Sequence, residues 1–116
     1  MAADTPIDPA TFADLKEAAG AEFVADLVGT FLDEAPRMLD DMRTALAAGN
    51  VDAFRRAAHS FKSNSNTFGA LGLGAMARDL EMTAAARVAA ADPAPVDALT
   101  AAYARAAAAL KEMVRA

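Results

Sequence analysis

Apolar residues recur at alternating steps of three and four through most of this chain. Such a stripe stays on one side of an α-helix, because the helix has about 3.6 residues per turn. Successive stripes of this kind predict several amphipathic helices that pack their apolar sides together. The clearest stripes are Val51, Phe54, Ala58, Phe61, Ser65 and Phe68, and then Val96, Leu99, Tyr103, Ala106, Leu110 and Met113.

Residues typical of helix ends divide the chain into five predicted helices. Asp8, followed by a proline, is typical of a helix start. Gly20 and Gly49 are typical of helix ends, and Asn50 is a good cap for the next helix. Pro36 predicts a kink or break of the second helix near Asp33. The predicted helices are Pro9 to about Ala19, about Ala21 to Ala48, Val51 to Phe68, about Leu73 to Ala90, and Val96 to the end of the chain.

Short connections join these helices. Gly69, Gly72 and Gly74 predict a turn between the third and fourth helices, and the Asp-Pro-Ala-Pro run at residues 92–95 ends the fourth. Four long amphipathic helices with short connections predict an all-α fold, namely an antiparallel up-down four-helix bundle. We expect the short N-terminal helix to cover one end of it. We also expect residues 1–116 to form a single domain.

The composition excludes several classes of protein. Hydrophobic residues, many of them alanine, make up 55% of the chain, which excludes intrinsic disorder. The chain has no cysteine, and this excludes disulfides, thiolate catalysis and thiolate metal sites. There is no uncharged apolar run of about 18 residues and no basic-then-apolar N-terminal segment, so we expect neither a membrane span nor a secretory signal. A cytoplasmic location is the resulting expectation.

Charge is distributed unevenly along the sequence. The formal net charge is −5, which argues against a nucleic-acid partner. Residues 1–41 carry ten acids and two bases, a net of −8, whereas residues 42–116 carry six acids and nine bases, a net of +3. Charge runs are ordinarily solvated helix faces. The excess of bases in the second part also permits a locally basic working surface there.

His59 is the only histidine of the chain, and periodicity places it away from the apolar stripe of the third helix. A lone histidine is most often a filler or a surface residue. Here, however, cations lie about one turn away, and they disfavour protonation of an imidazole and favour an anion placed on it. Four polar residues, spaced by four, three and four positions, lie along one line of this helix. They are Arg55, His59, Lys62 and Asn66.

Other kinds of chemistry find little support in the sequence. A metal site needs several convergent ligands, and one histidine with scattered acids is a poor set. Three serines lie near His59, but all are on the same helix, without a strained turn or an oxyanion site. They are Ser60, Ser63 and Ser65. The glycines that follow do not come after a strand, so no nucleotide loop is indicated and the chain cannot act as a kinase by itself.

The run from Ala58 to Ala70, AHSFKSNSNTFGA, resembles the signature of histidine-containing phosphotransfer domains. In that family a histidine is followed by a hydrophobic residue, a lysine, small and polar residues, and then Gly-Ala. The segments 48–51 and 77–81 are similar to the flanks of the family signature, and the likeness covers about residues 21–90. The family usually has a glycine where this chain has Ser63. Serine is small, so access to the histidine should survive, with an altered choice of partner.

The resemblance implies roles for the residues around the histidine. His59 would carry a phosphoryl group on Nε2, while Glu81 on the next helix would accept a hydrogen bond from Nδ1. Lys62 would offset the charge of the phosphoryl group. The partner-binding surface would include Arg55, Arg56, Ser63 and Asn66.

The resemblance also implies partners. The phosphoryl donor or acceptor would be the aspartate of a response-regulator receiver domain, or a sensor histidine kinase would be the donor. The chain would have no cofactor of its own, since the receiver would bring the Mg²⁺ that neutralises charge during transfer. We expect a monomer without enzymatic activity in isolation. Two alternatives stay open: a helical adaptor that regulates a partner by binding alone, and an enzyme such as a helix-bundle hydrolase that uses His59.

Overall fold

The computed structural model describes residues 6–115, which contain six α-helices and no strand. The all-α prediction is therefore confirmed. Ala116, which we expected to end the last helix, lies outside the described residues. In this part of the chain, no helix has the length and apolarity needed to cross a membrane. The helices are α1 (Pro9–Ala19), α2 (Ala21–Ala48), α3 (Val51–Thr67), α4 (Leu71–Met82), α5 (Ala84–Ala90) and α6 (Ala94–Arg115).

Helix α2 continues through Pro36. Of the two outcomes predicted near Asp33, a kink or a break, the break is therefore wrong. A proline lacks the N–H that would bond the carbonyl four residues earlier, here that of Leu32. The hydroxyl of Tyr103 in α6 instead donates a long hydrogen bond of 3.4 Å to this carbonyl. Pro36 faces solvent, whereas the neighbouring Ala35 is fully buried. Packing of the apolar face therefore holds α2 together across the proline.

The predicted fourth helix is wrong as a single element, because a joint at Thr83 separates α4 from α5. The Thr83 hydroxyl donates to the carbonyl oxygen of Asp79 at 2.7 Å, a contact that bends helices. The Arg87 guanidinium spans the joint and donates to the Thr83 hydroxyl and the Asp79 carboxylate, both at 3.1 Å. The apolar stripe nevertheless continues into α5 at the buried Val88, which is why periodicity did not reveal the joint.

Only one of the three clustered glycines forms the turn between α3 and α4. Gly69 has a φ of 84°, in the left-handed region that favours glycine. Its carbonyl accepts a hydrogen bond of 2.7 Å from the N–H of Asp8, and this ties the start of α1 to the turn. Gly72 and Gly74 lie inside α4, so their assignment to the turn is wrong.

Helix α3 packs against α2 on one side and α4 on the other, and α6 also packs against α2 and α4. Arg43 of α2 pairs with Asp97 near the start of α6 at 2.7 Å. Because Tyr103, further along α6, meets Leu32, which is earlier in α2, these two helices run in opposite directions. Apolar residues of α2, α3, α4 and α6, together with Phe68 in the turn after α3, form most of the core, which includes Val28, Phe31, Met42, Phe54, Phe61, Phe68, Leu80, Leu99 and Leu110.

Leu80→Ala is expected to lower the free energy of unfolding by about 2–5 kcal/mol. The Leu80 side chain is only 4% exposed, in the core between α4 and its neighbours. Its removal would lose apolar burial and leave a cavity. Chemical denaturation followed by circular dichroism measures the change, and a loss below about 0.5 kcal/mol, as for ordinary surface sites, would mean that Leu80 is not buried.

Candidate functional site

The side of α3 that faces solvent carries His59. The Asn50 side chain caps this helix by accepting a hydrogen bond of 3.0 Å from the N–H of Ala53. The opposite side of the helix is anchored in the core by residues that include Ala58 and Phe61, both fully buried. The His59 side chain is 57% exposed. Periodicity therefore placed this residue correctly, and a rigid helix presents the ring to an incoming group.

One nitrogen of the imidazole is held by the neighbouring helix. The Nδ1 atom of His59 lies 2.8 Å from Oε2 of Glu81 in α4, a hydrogen-bond distance. A carboxylate accepts hydrogen bonds, so this contact selects the tautomer with hydrogen on Nδ1. The lone pair of Nε2 is then free, and an exposed imidazole with a free Nε2 is able to act as a nucleophile.

Lys62 and His59 share the same carboxylate. The Lys62 ammonium lies 2.7 Å from Oε1 of Glu81, while His59 contacts the other oxygen. The Lys62 and Glu81 side chains are only 22% and 20% exposed. The pKa of Glu81 is lowered, and the hydrogen bond from Lys62 is the largest cause. Burial opposes it by raising the pKa, and the hydrogen bond to His59 lowers it further. Glu81 is therefore an anion at neutral pH and a stable acceptor for Nδ1–H.

Close packing of α3 on α4 brings these three residues together. At Gly74, an added Cβ atom would overlap the side-chain amide of Asn66, so only glycine lets the two helices approach this closely. This contact of Asn66 with Gly74, together with that of His59 with Glu81, shows that α3 and α4 run in opposite directions. Sequence reasoning missed the role of Gly74. The available signal was its place seven residues before Glu81, two helical turns away on the same face.

The remaining predicted site residues surround this cluster without joining it. The guanidinium of Arg55 pairs with Asp52, one turn earlier in α3, at 3.1 Å. Arg56 is exposed and lines a groove between α2 and α3, together with Asp41 and other residues. Ser63 is exposed on the outer side of α3. The structure thus brings together His59, Lys62 and Glu81, and leaves Arg55, Arg56, Ser63 and Asn66 around them.

Comparison with known proteins identifies the family of this chain. The family model of the Hpt domain matches residues 26–112, most of the chain. This chain belongs to the Hpt domain family. The crystal structure of histidine-containing phosphotransfer protein B (HptB) from Pseudomonas aeruginosa PAO1 is similar to this Hpt domain, with a TM-score of 0.84 and 28% sequence identity. The match covers 97% of this chain and 96% of that protein. No curated protein sequence matches.

The family and the structural match establish what this Hpt domain does. It is a histidine phosphotransfer protein of phosphorelay signalling. Proteins of this family are phosphocarriers that interact with receiver domains and histidine kinases. The matched range contains His59, Lys62 and Glu81.

Proposed function

We propose that His59 accepts the phosphoryl group on Nε2 and passes it on to a receiver aspartate. The observation that carries the proposal is the hydrogen bond of 2.8 Å between Nδ1 of His59 and Oε2 of Glu81. In the neutral ring this bond places the hydrogen on Nδ1 and leaves the lone pair on Nε2, on a side chain that is more than half exposed. Among residues 6–115, His59 is the only imidazole, so no second histidine competes for this role.

The transfer exchanges one activated phosphoryl bond for another. The Nε2 lone pair attacks the phosphorus of the aspartyl phosphate, the P–O bond to the receiver breaks, and its electron pair returns to the aspartate carboxylate. The same steps in reverse phosphorylate the next receiver. The receiver supplies Mg²⁺, which neutralises charge as the bonds change. This domain supplies a positioned nucleophile and no ATP site, and it does not act as an enzyme by itself.

Glu81 and Lys62 take different parts in this proposal. Glu81 orients the imidazole and stabilises the positive charge that the ring gains when it is phosphorylated. Lys62 holds Glu81 ionised through their 2.7 Å contact. An ammonium has three donors, so those not used by Glu81 are available to offset phosphoryl charge. The exposed Arg55, Arg56, Ser63 and Asn66 form the partner-binding surface around the ring.

We further infer the arrangement in which this site works. The four longer elements, with α4 and α5 together counted as one, form an antiparallel up-down bundle, and α1 covers one end. The chain is a single monomeric domain in the cytoplasm, with receiver domains or a hybrid histidine kinase as partners and no nucleic acid. The packing of α3 between α2 and α4 supports the bundle, and a weak, transient interface suits a carrier that must release each partner.

The decisive experiment identifies the phosphorylated atom. The purified domain is incubated with a panel of receiver domains that carry a labelled aspartyl phosphate, and separately with phosphoramidate, a small phosphoryl donor. We expect one label per molecule, labile in acid and stable in base, that mass spectrometry locates at His59. An acid-stable label, or a label at another residue, contradicts the proposal. Binding of receivers without any label would favour the adaptor alternative.

Glu81→Ala is expected to slow phosphoryl transfer about 10–100-fold, because the imidazole loses the partner that fixes its tautomer and orientation. Some transfer should persist, since Nε2 itself remains. Single-turnover transfer from a phosphorylated receiver measures the effect. Glu81→Gln is the matched control: its amide oxygen can still accept from Nδ1–H, so its loss should be smaller. Equal rates for Glu81→Ala and the parent chain would mean that Glu81 is an ordinary surface carboxylate.

A further inference from the structure

Arg78 of α4 lies on the same face as Glu81 and Gly74. It follows Gly74 by four residues and precedes Glu81 by three, which are the spacings that keep side chains on one side of a helix. Helices α3 and α4 are antiparallel and meet at Asn66–Gly74 and at His59–Glu81. The position three residues after His59 on α3 therefore lies opposite the position three residues before Glu81 on α4. Arg78 is thus placed across from Lys62, about one turn from the imidazole.

The nearest carboxylates are engaged by other cations. Both oxygens of Glu81 are used, one by His59 and one by Lys62. The carboxylate of Asp79, next to Arg78 in sequence, pairs with Arg87 across the joint at 3.1 Å. Within residues 6–115, Arg78 takes part in no ion pair, and its side chain is exposed. Its guanidinium therefore presents an uncompensated positive charge and several free donors beside the site.

A second uncompensated guanidinium lies on the other side of the imidazole. Arg56 is three residues before His59, is exposed, and forms no ion pair within the described part of the chain. It lies toward α2, where it lines the groove, whereas Arg78 lies toward α4. The two positive charges flank His59, on a domain whose net charge is −5. The surface beside His59 thus carries positive charge although the domain is negative overall. Such a surface is complementary to a partner that is acidic around its reacting group.

We propose that Arg78 is a docking residue for receiver domains, which contacts the acidic surface around the phosphorylated aspartate. This inference rests on the proposed function of His59 and adds a partner contact from α4. Arg78 favours the encounter of the two proteins and helps to orient them. It is not required for reaction at Nε2, because the His59–Glu81–Lys62 contacts are complete without it.

The test compares a protein donor with a small donor. Phosphoramidate labels His59 without docking: its P–N bond breaks, ammonia leaves, and the phosphorus bonds to Nε2. Arg78→Glu should lower the apparent second-order rate of transfer from a phosphorylated receiver about tenfold at low ionic strength. The difference should shrink at about 0.5 M salt, where charges are screened within a few ångströms. Labelling by phosphoramidate should keep the rate of the parent chain.

Two further variants make the result specific. Arg78→Lys keeps the charge and should retain most of the rate with the receiver. Arg105→Glu makes the same charge change at an exposed position of α6, two residues after Tyr103 and so on another side of that helix from the ring that meets α3, and should leave transfer unchanged. The inference is overturned if Arg78→Glu and Arg105→Glu behave alike with the receiver, or if Arg78→Glu slows phosphoramidate labelling to the same extent. Absence of any label on the parent chain would instead refute the role of His59.

Discussion

His59→Gln is expected to remove all phosphoryl labelling and to leave the helical fold intact. Glutamine has about the length of histidine, but its amide nitrogen is not a nucleophile, so no phosphoryl bond can form. The side chain is 57% exposed and lies outside the core, so the free energy of unfolding should change by no more than about 0.5 kcal/mol. Labelling by phosphoramidate and by phosphorylated receivers measures the first effect, and circular dichroism during denaturation measures the second.

The matched control for this variant is Ser60→Ala. Ser60 follows His59 directly and is also exposed, so it is the hydroxyl nearest in sequence that a misassigned label would be placed on. Labelling should persist in Ser60→Ala and vanish in His59→Gln. Residual base-stable label in His59→Gln would show that another group accepts the phosphoryl, and loss of label together with loss of helical signal would show that the histidine is structural.

Much of this site is predictable from the sequence because its main determinant is local. The steps of three and four along α3 are sufficient to separate the exposed His59 from the buried Phe61. The ends of α1 and α2 follow from capping residues such as Asp8 and Gly49, and the structure places them as predicted. The family resemblance adds what periodicity alone does not provide, namely that Glu81, far along the chain, faces the imidazole.

The features that the sequence did not reveal depend on contacts between distant residues. Pro36 leaves a carbonyl without its helical donor, and only the position of Tyr103 on another helix shows how α2 tolerates this. The sequence predicts a turn at Gly74, and only the folded structure shows that Asn66 packs against it. At the joint, the Thr83 hydroxyl bonds the carbonyl of Asp79, but Thr30 and Thr100 make the same kind of contact inside uninterrupted helices. Most threonines within helices do not interrupt them, so the pattern alone does not predict a break there.

Phe61→Ala is expected to lower the free energy of unfolding by about 3–5 kcal/mol. The ring is fully buried, and its centroid lies 6.2 Å from that of Phe31 and 6.0 Å from that of Tyr103. Alanine would remove the contacts of α3 with α2 and α6 at this point and leave a cavity beside the rings of Phe31 and Tyr103. A domain of this size is stable by only about 5–15 kcal/mol, so the loss is a large part of the total.

Thermal and chemical denaturation measure this loss, and the melting temperature should fall by about 10 °C or more. His59→Gln, two residues away on the same helix, is the internal control and should hardly shift the transition. At a temperature where Phe61→Ala is still folded, the rate of labelling per folded molecule should stay close to that of the parent chain, because the ring is buried in the core and takes no part in the hydrogen bonds that join His59, Glu81 and Lys62. The contrary result would be that Phe61→Ala loses activity while it remains fully stable. The two faces of α3 would then not divide into a packing side and a reacting side. The assignment of His59 as an exposed group on a rigid helix would need revision.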